Sequence, residues 1–219
     1  MYSLAPGASE APAMYDSWYY TSKGAWISRR EMKLLLDLLQ PEPGRSLLDV
    51  GAGTGHFTRR FADSGLRAVG LEPDLQMLDF ARRKHEDIHF VRGDATALPF
   101  PPGSFDFVAA VTSLCFVSKP ENALHQMWRV ARRGIVVGLL NRNSMLYRRK
   151  AGSGGYAGAR WDRASSVRSW GHLLDPQPRF MQWGTTVFFP GGSIPARILD
   201  HLLPKRLPWG SFLAFCWHR

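Results

Sequence analysis

Cysteine is scarce in this chain of 219 residues: Cys115 and Cys216 are the only two. They belong to no CxxC and no paired His/Cys spacing, so neither a disulfide framework nor a zinc knuckle is expected. No metal is expected, and the reducing cytoplasm is the expected setting. Long apolar runs are also missing. Ile135–Leu140 is broken by Gly138 and falls far short of the ~20 residues that a membrane-spanning helix requires. The opening MYSLAPGASEAPAMYDSWYY has no basic stretch leading into an apolar core, so no secretory signal is expected. Acidic residues thin out toward the end. Residues 1–140 carry 16 Lys/Arg against 15 Asp/Glu, whereas residues 141–219 carry 12 against 3. Nearly all of the net charge of +10 therefore sits in the last third, where it would attract anions such as nucleic acid, acidic lipid or an acidic substrate.

What is present is the composition of an ordinary globule, 45% apolar and 21% charged. The length suits one domain with its own core. Residues 1–13 are rich in Ala, Pro and Gly and are expected to be loose. Met32, Leu35, Leu36 and Leu39 mark one face of a helix over about 29–39, stopped by Pro41 and Pro43. Short apolar runs then alternate with helical patterns. Strands are expected at 46–50, 68–71, 88–91, 105–110 and 135–140. Helices are expected from the glycine turn to Gly65, from Asp74 to about Lys84, and over 121–131. That alternation predicts a parallel sheet covered on both faces. Beyond 140 come a Gly-rich loop (151–158), a helix at 162–175, a strand at 179–189, a helix at 194–203 and a last strand at 209–217, extending the same sheet. No internal repeat is evident.

The decisive stretch is LLDVGAGTGHF (47–57), a strand running through glycines into a helix. Such a turn lets backbone approach a ligand and sets free N–H groups at a helix start. A phosphate-binding loop of the GxxxxGK[ST] type is excluded, because no Lys follows the glycines. A dinucleotide GxGxxG fits at Gly51 and Gly53. Its third glycine position holds His56, however, and the glycine has moved to Gly55. An acidic residue followed by GxGxG remains.

LLDVGAGTGHF, LEPDLQML (71–78), GDATALPF (93–100) and FDFV (105–108) together resemble the class I S-adenosylmethionine-dependent methyltransferases. The closer likeness is to the small-molecule group that includes the quinone-biosynthesis C-methyltransferases. YDSW (15–18) and PWGSFLAF (208–215) look like their counterparts there. The resemblance implies an α/β doubly wound sheet of seven strands in order 3-2-1-4-5-7-6, mostly parallel with the last strand antiparallel. It implies an N-terminal cover over residues 1–28 and a single domain over 29–219, with a lid-like insert at about 141–178. It also implies S-adenosylmethionine as cofactor. Gly51, Ala52, Gly53 and Gly55 would wrap the methionine end, with Asp49 near the ammonium. Glu72, 21 residues after Gly51, would hold the ribose hydroxyls. Pro73 and Met77 would cover the adenine, Asp94 and Ala95 would hold its edge, and Thr112 would touch the cofactor beyond the fourth strand.

The chain departs from that group in two places. A polar or His pair common after the fourth strand is replaced by Cys115 and Phe116, which removes a candidate base. These two residues are placed beside the acceptor, with Cys115 reading first as a small buried thiol. ARRG (131–134) replaces a Leu-Lys-Pro-Gly-Gly run before the fifth strand and reads as a loop variation. No catalytic base is assigned; Tyr15, Tyr19 and His172 are the candidates. Tyr15, Trp18 and Tyr19 from the cover, and Tyr147 and Trp161 from the insert, would enclose a flat or hydrophobic small molecule. Two alternatives stand beside this reading. One is RNA methylation through the basic C-terminal third, although no Asn/Asp-Pro-Pro-aromatic tetrapeptide follows the fourth strand, where VTSLCF stands. The other is a non-catalytic S-adenosylmethionine-binding protein. The oligomeric state is left open.

Overall fold

The computed structural model describes residues 12–219; the first eleven residues of the expected cover segment lie outside it. Pro12–Ser17 (α1) is helical and runs into a 3₁₀ turn at Trp18–Tyr20. Ser22–Leu39 (α2) begins two turns earlier than its apolar pattern shows. Thr21 caps it by accepting from the Gly24 N–H. A Cβ on Gly24 would lie 2.0 Å from the Trp18 carbonyl oxygen. Only glycine lets the helix start against that turn.

Ser46–Val50 (β1), His56–Asp63 (α3), Arg67–Glu72 (β2), Leu75–Lys84 (α4) and His89–Arg92 (β3) follow as two parallel crossovers. The Asp74 side chain caps α4 by accepting from the N–H groups of Gln76 and Met77. Phe105–Val111 (β4), Pro120–Val130 (α5) and Ala131–Leu140 (β5) complete the central sheet. β5 starts directly where α5 ends. The ARRG run is therefore strand and not loop, with Arg132 and Arg133 in solvent where a short apolar pattern could not report them. Met145–Lys150 (α6), a short helix without an apolar stripe, was not expected; Ala164–Ser169 (α7) continues as a 3₁₀ turn through Leu173. Phe180–Thr186 (β6), Ile194–Leu202 (α8) and Phe212–His218 (β7) close the fold.

The sheet order is β3-β2-β1-β4-β5-β7-β6, with β7 antiparallel to both neighbours, as the family resemblance implied. Both faces are buried. Leu48, Val50, Val108 and Val137 pack in one layer with Leu124, Met127 and Trp128 of α5. Leu47, Phe107, Ala109 and Val136 pack in the other with Leu34, Leu35 and Leu39 of α2 and Phe57 and Phe61 of α3. The order reverses between β1 and β4. Their carboxyl ends therefore open a crevice between diverging connections, the position where ligands bind in open α/β sheets.

Candidate active site

The glycine turn after β1 is built for close approach. Gly51, Gly53 and Gly55 have φ of 75°, 56° and 80°, a region that side-chain-bearing residues rarely enter. A Cβ on Gly51 would lie 2.3 Å from Ser113 Cβ, whereas a Cβ on Gly53 would meet nothing within 4 Å. Gly51 is therefore closed against protein and Gly53 faces open space. Gly55 caps α3 and backs onto His85 and Phe90, each within 2.8 Å of a Cβ built there. This is the close helix–strand packing that the missing third glycine of a dinucleotide turn would otherwise serve.

Glu72 closes β2 beside this turn. One carboxylate oxygen accepts from the Gly53 N–H at 2.8 Å, the other from the Asp74 N–H at 3.0 Å. Burial raises its pKa, and these two donors oppose the rise. Asp49 lies beneath the turn and accepts from the Thr58 hydroxyl at 2.7 Å. Its burial lifts the carboxyl from 3.8 to about 7, with Glu72 adding repulsion.

Asp49, Gly51, Ala52, Gly53, Glu72, Pro73, Met77, Ala95 and Thr112 line one cavity of about 630 Å³, together with Tyr15, Tyr19 and Phe116. Thr112 holds φ of 50°, an outlier for a β-branched residue and the kind of strain that gathers at functional sites. Tyr15 and Tyr19 share a hydroxyl–hydroxyl hydrogen bond of 3.2 Å. Burial raises both phenols, so both stay protonated at neutral pH. Neither is placed to act as a base.

Other expected residues lie elsewhere. Asp94 Oδ1 accepts from the Thr96 N–H and hydroxyl at 2.7 and 2.9 Å, so that oxygen caps its own turn and Asp94 is not on the cavity wall. Trp18 is partly exposed and packs edge-on against Tyr19 behind the wall. Cys115 is buried and donates to the Thr112 carbonyl at 3.0 Å. Its thiol is pushed up to about 12 by burial, so it is a structural group. Tyr147 and Trp161 form an aromatic cluster with Tyr156, at ring separations of 5.4 Å, within the insert and off the wall. The insert still reaches the site. The Arg160 N–H donates to the Cys115 carbonyl at 2.8 Å and its guanidinium to the Val117 carbonyl at 3.3 Å, and Val117 lines the cavity. His172 is exposed on the turn after α7, away from the cavity.

Among the wall residues that the sequence reading did not assign to the site are His56 and Ser113. His56 stacks on Tyr19 at 3.7 Å between ring centres and accepts from Arg60 Nε at 3.0 Å. Burial and the nearby Arg60 lower it to about 3, so it is neutral. The signal was present: an aromatic-type residue at the first helical position, in a chain whose N-terminal cover is aromatic. Ser113 donates to the Val50 carbonyl at 2.6 Å and ties the end of β4 to the end of β1. A lone serine gives no such signal.

An open α/β sheet of this order carries a glycine turn and an acidic strand end on one crevice, and chains similar to this one are named as methyltransferases. Residues 48–137 match the sequence profile of the family described as a methyltransferase domain. A demethylmenaquinone methyltransferase of Renibacterium salmoninarum is 44% identical over 107 residues, covering 49% of this chain and 45% of that protein. A malonyl-[acyl-carrier protein] O-methyltransferase of Serratia marcescens is 31% identical over 135 residues, covering 62% and 51%. The chain thus spans about half the length of the curated relatives it matches. A solved SAM-dependent methyltransferase from Thermotoga maritima, described as a possible histamine N-methyltransferase, superposes with TM-score 0.70 at 26% identity, covering 94% of both chains.

The solved relative from Thermotoga maritima is described as SAM-dependent, and the residues present here fit S-adenosylmethionine. The open space over Gly53 leaves room for a ligand, and the Glu72 carboxylate stands on the same cavity wall. Thr54, on the same wall, keeps a buried hydroxyl with no partner among the described residues.

Proposed function

We propose that this chain transfers a methyl group from S-adenosylmethionine to a small aromatic or hydrophobic acceptor by in-line displacement. The observation that carries the reading is Glu72, a buried carboxylate fixed by two backbone N–H groups at the mouth of a cavity floored by glycines. In this reading residues 29–219 form one methyltransferase domain, covered by the segment before 29 and by the insert at about 141–178. Glu72 accepts from the ribose hydroxyls, Asp49 faces the ammonium, the glycine turn takes the methionine end, and Pro73, Met77 and Ala95 enclose the adenine.

The bound cofactor supplies a methyl group already activated on a sulfonium. The protein's part is then orientation, close contact and exclusion of water. Tyr15, Tyr19, Phe116 and Val117 provide an aromatic and apolar wall for that purpose. The two phenols stay protonated and do not remove the acceptor's proton; one spends its O–H on their mutual bond, and the other is left to donate to the acceptor. This suits a nucleophile that needs no strong base, such as a phenolate, an enolate or an electron-rich ring carbon. The relatives named for demethylmenaquinone support an acceptor of this general kind. Transfer of tritium from methyl-labelled S-adenosylmethionine to members of a panel of quinols and hydroxylated aromatics is the expected result. Label that stays on the cofactor across the panel and a cell extract contradicts the reading.

Asp49 makes cofactor binding depend on pH. Its folded-state value of about 7 lies above the ordinary 3.8, so the folded protein holds that proton more tightly than the unfolded chain. Its contribution to the stability of the cofactor-free protein therefore falls as pH rises from about 4 to about 7. A cationic ammonium favours the carboxylate, so affinity for S-adenosylmethionine should rise between about pH 5 and pH 8 and level off above the Asp49 value. Calorimetric titrations across that range check this, and Asp49→Asn should flatten the curve.

A further inference from the structure

Helix α8 is turned inside out. In an ordinary surface helix the apolar stripe faces the core and the charges face water. Here Ile194, Ile198, Leu199 and Leu202 are 74%, 60%, 52% and 75% exposed, while Asp200 is fully buried. The inward side is held by polar contacts. Arg30 donates to the Asp200 carboxylate at 3.1 Å and to its carbonyl at 3.0 Å, and the Phe188 N–H also donates to that carboxylate. Arg197 donates to the Gly192 carbonyl at 2.8 Å and to the Ser22 hydroxyl at 3.0 Å, and lies over the Trp26 ring. The helix is therefore fastened firmly with its aliphatic ridge outward. The next exposed aromatic, Trp209 at 58%, stands in the connection to β7.

We propose that this ridge docks on an anionic lipid bilayer surface. A helix of nine residues is about 14 Å long and ~10 Å wide, too narrow a ridge to supply the ~800 Å² that each partner of a stable protein interface buries. A bilayer interface asks only that an aliphatic helix face sink a few ångströms between headgroups, with cations nearby. The charge fits. The only carboxylate on α8 is the buried, paired Asp200, and the 79 residues from 141 onward carry 12 basic against 3 acidic groups. Exposed cations flank the helix: Lys23 lies beside Gly192 at its start, and Arg206 follows its end. No helix among the described residues is long and apolar enough to cross a membrane, so the contact is peripheral. The inference does not depend on methyl transfer.

The test is co-sedimentation of the whole chain with vesicles of phosphatidylcholine containing one quarter phosphatidylglycerol, beside vesicles of phosphatidylcholine alone. Wild type should pellet with the anionic vesicles, less so at high salt, and Ile198→Glu combined with Leu202→Glu should lower the partition at least tenfold. Both positions are exposed, so melting temperature and cofactor affinity should stay unchanged in that variant. Three results overturn the proposal: wild type left in the supernatant with both vesicles, undiminished pelleting of the double variant, or a dimer abolished by the double variant without any vesicle binding. The last would hand the ridge to a second copy of the chain. Equal partition into both vesicle types would overturn its charge requirement.

Discussion

Glu72→Ala should weaken binding of S-adenosylmethionine at least tenfold, which is about 1.4 kcal/mol. The substitution removes the carboxylate proposed to hold the ribose and also strips the Gly53 and Asp74 N–H groups of their acceptor. A buried donor left without a partner costs about 1–3 kcal/mol, so some loss of stability accompanies the loss of affinity. Glu72→Gln separates the two effects. Its amide oxygen can still accept from one N–H, which keeps much of the turn in place, but it cannot present two anionic acceptors to a diol. Melting temperature should recover further than affinity in Glu72→Gln. Equal recovery of both, or affinity unchanged in either variant, would count against a ribose contact.

Gly51 and Gly53 should part company when each is replaced by alanine. Gly51 combines a φ of 75° with a Cβ position 2.3 Å from Ser113 Cβ. Strain in that backbone region and overpacking each cost about 1–3 kcal/mol, so Gly51→Ala should lose about 2–6 kcal/mol of stability. Gly53 has a similar φ of 56° but open space around it. Gly53→Ala should cost about 1 kcal/mol or a little more of stability, since the new methyl meets no protein atom. That methyl instead occupies the cavity, and affinity for S-adenosylmethionine should fall at least tenfold. Chemical denaturation and calorimetry on the two variants give the comparison. A Gly53→Ala protein that binds as well as wild type would mean that the space over this glycine is not the ligand's.

These contrasts also show what the sequence made legible. The turn after β1, the acid ending β2 and the cap at Asp74 are local features. Each is written in two or three adjacent residues whose backbone or charge requirement has few alternatives. Sheet order came through the family resemblance, because strand patterns alone do not say which edge is which. What stayed hidden depended on distant contacts. The apolar pattern does not report that the Trp18 carbonyl lies against Gly24 and lets α2 begin there. The start of β5 carries two exposed arginines that mask its pattern. Asp94 was assigned to the adenine edge only through the resemblance, and in the structure one of its oxygens accepts from the Thr96 N–H and hydroxyl. The cover and insert aromatics were placed in one group, yet the structure divides them. Tyr15 and Tyr19 reach the cavity, while Tyr147 and Trp161 pack with Tyr156. His56 occupies a position where a glycine was wanted, and its stacking on Tyr19 joins the glycine turn to the cover.

The central claim is that the crevice beyond β1 and β2 holds S-adenosylmethionine through Glu72. Calorimetric titration of the wild-type chain with S-adenosylmethionine, beside a nicotinamide dinucleotide, tests it most directly. Saturable binding of S-adenosylmethionine at one site per chain, with no heat from the dinucleotide, is the predicted result. No binding of S-adenosylmethionine, or binding of the dinucleotide in its place, would contradict it.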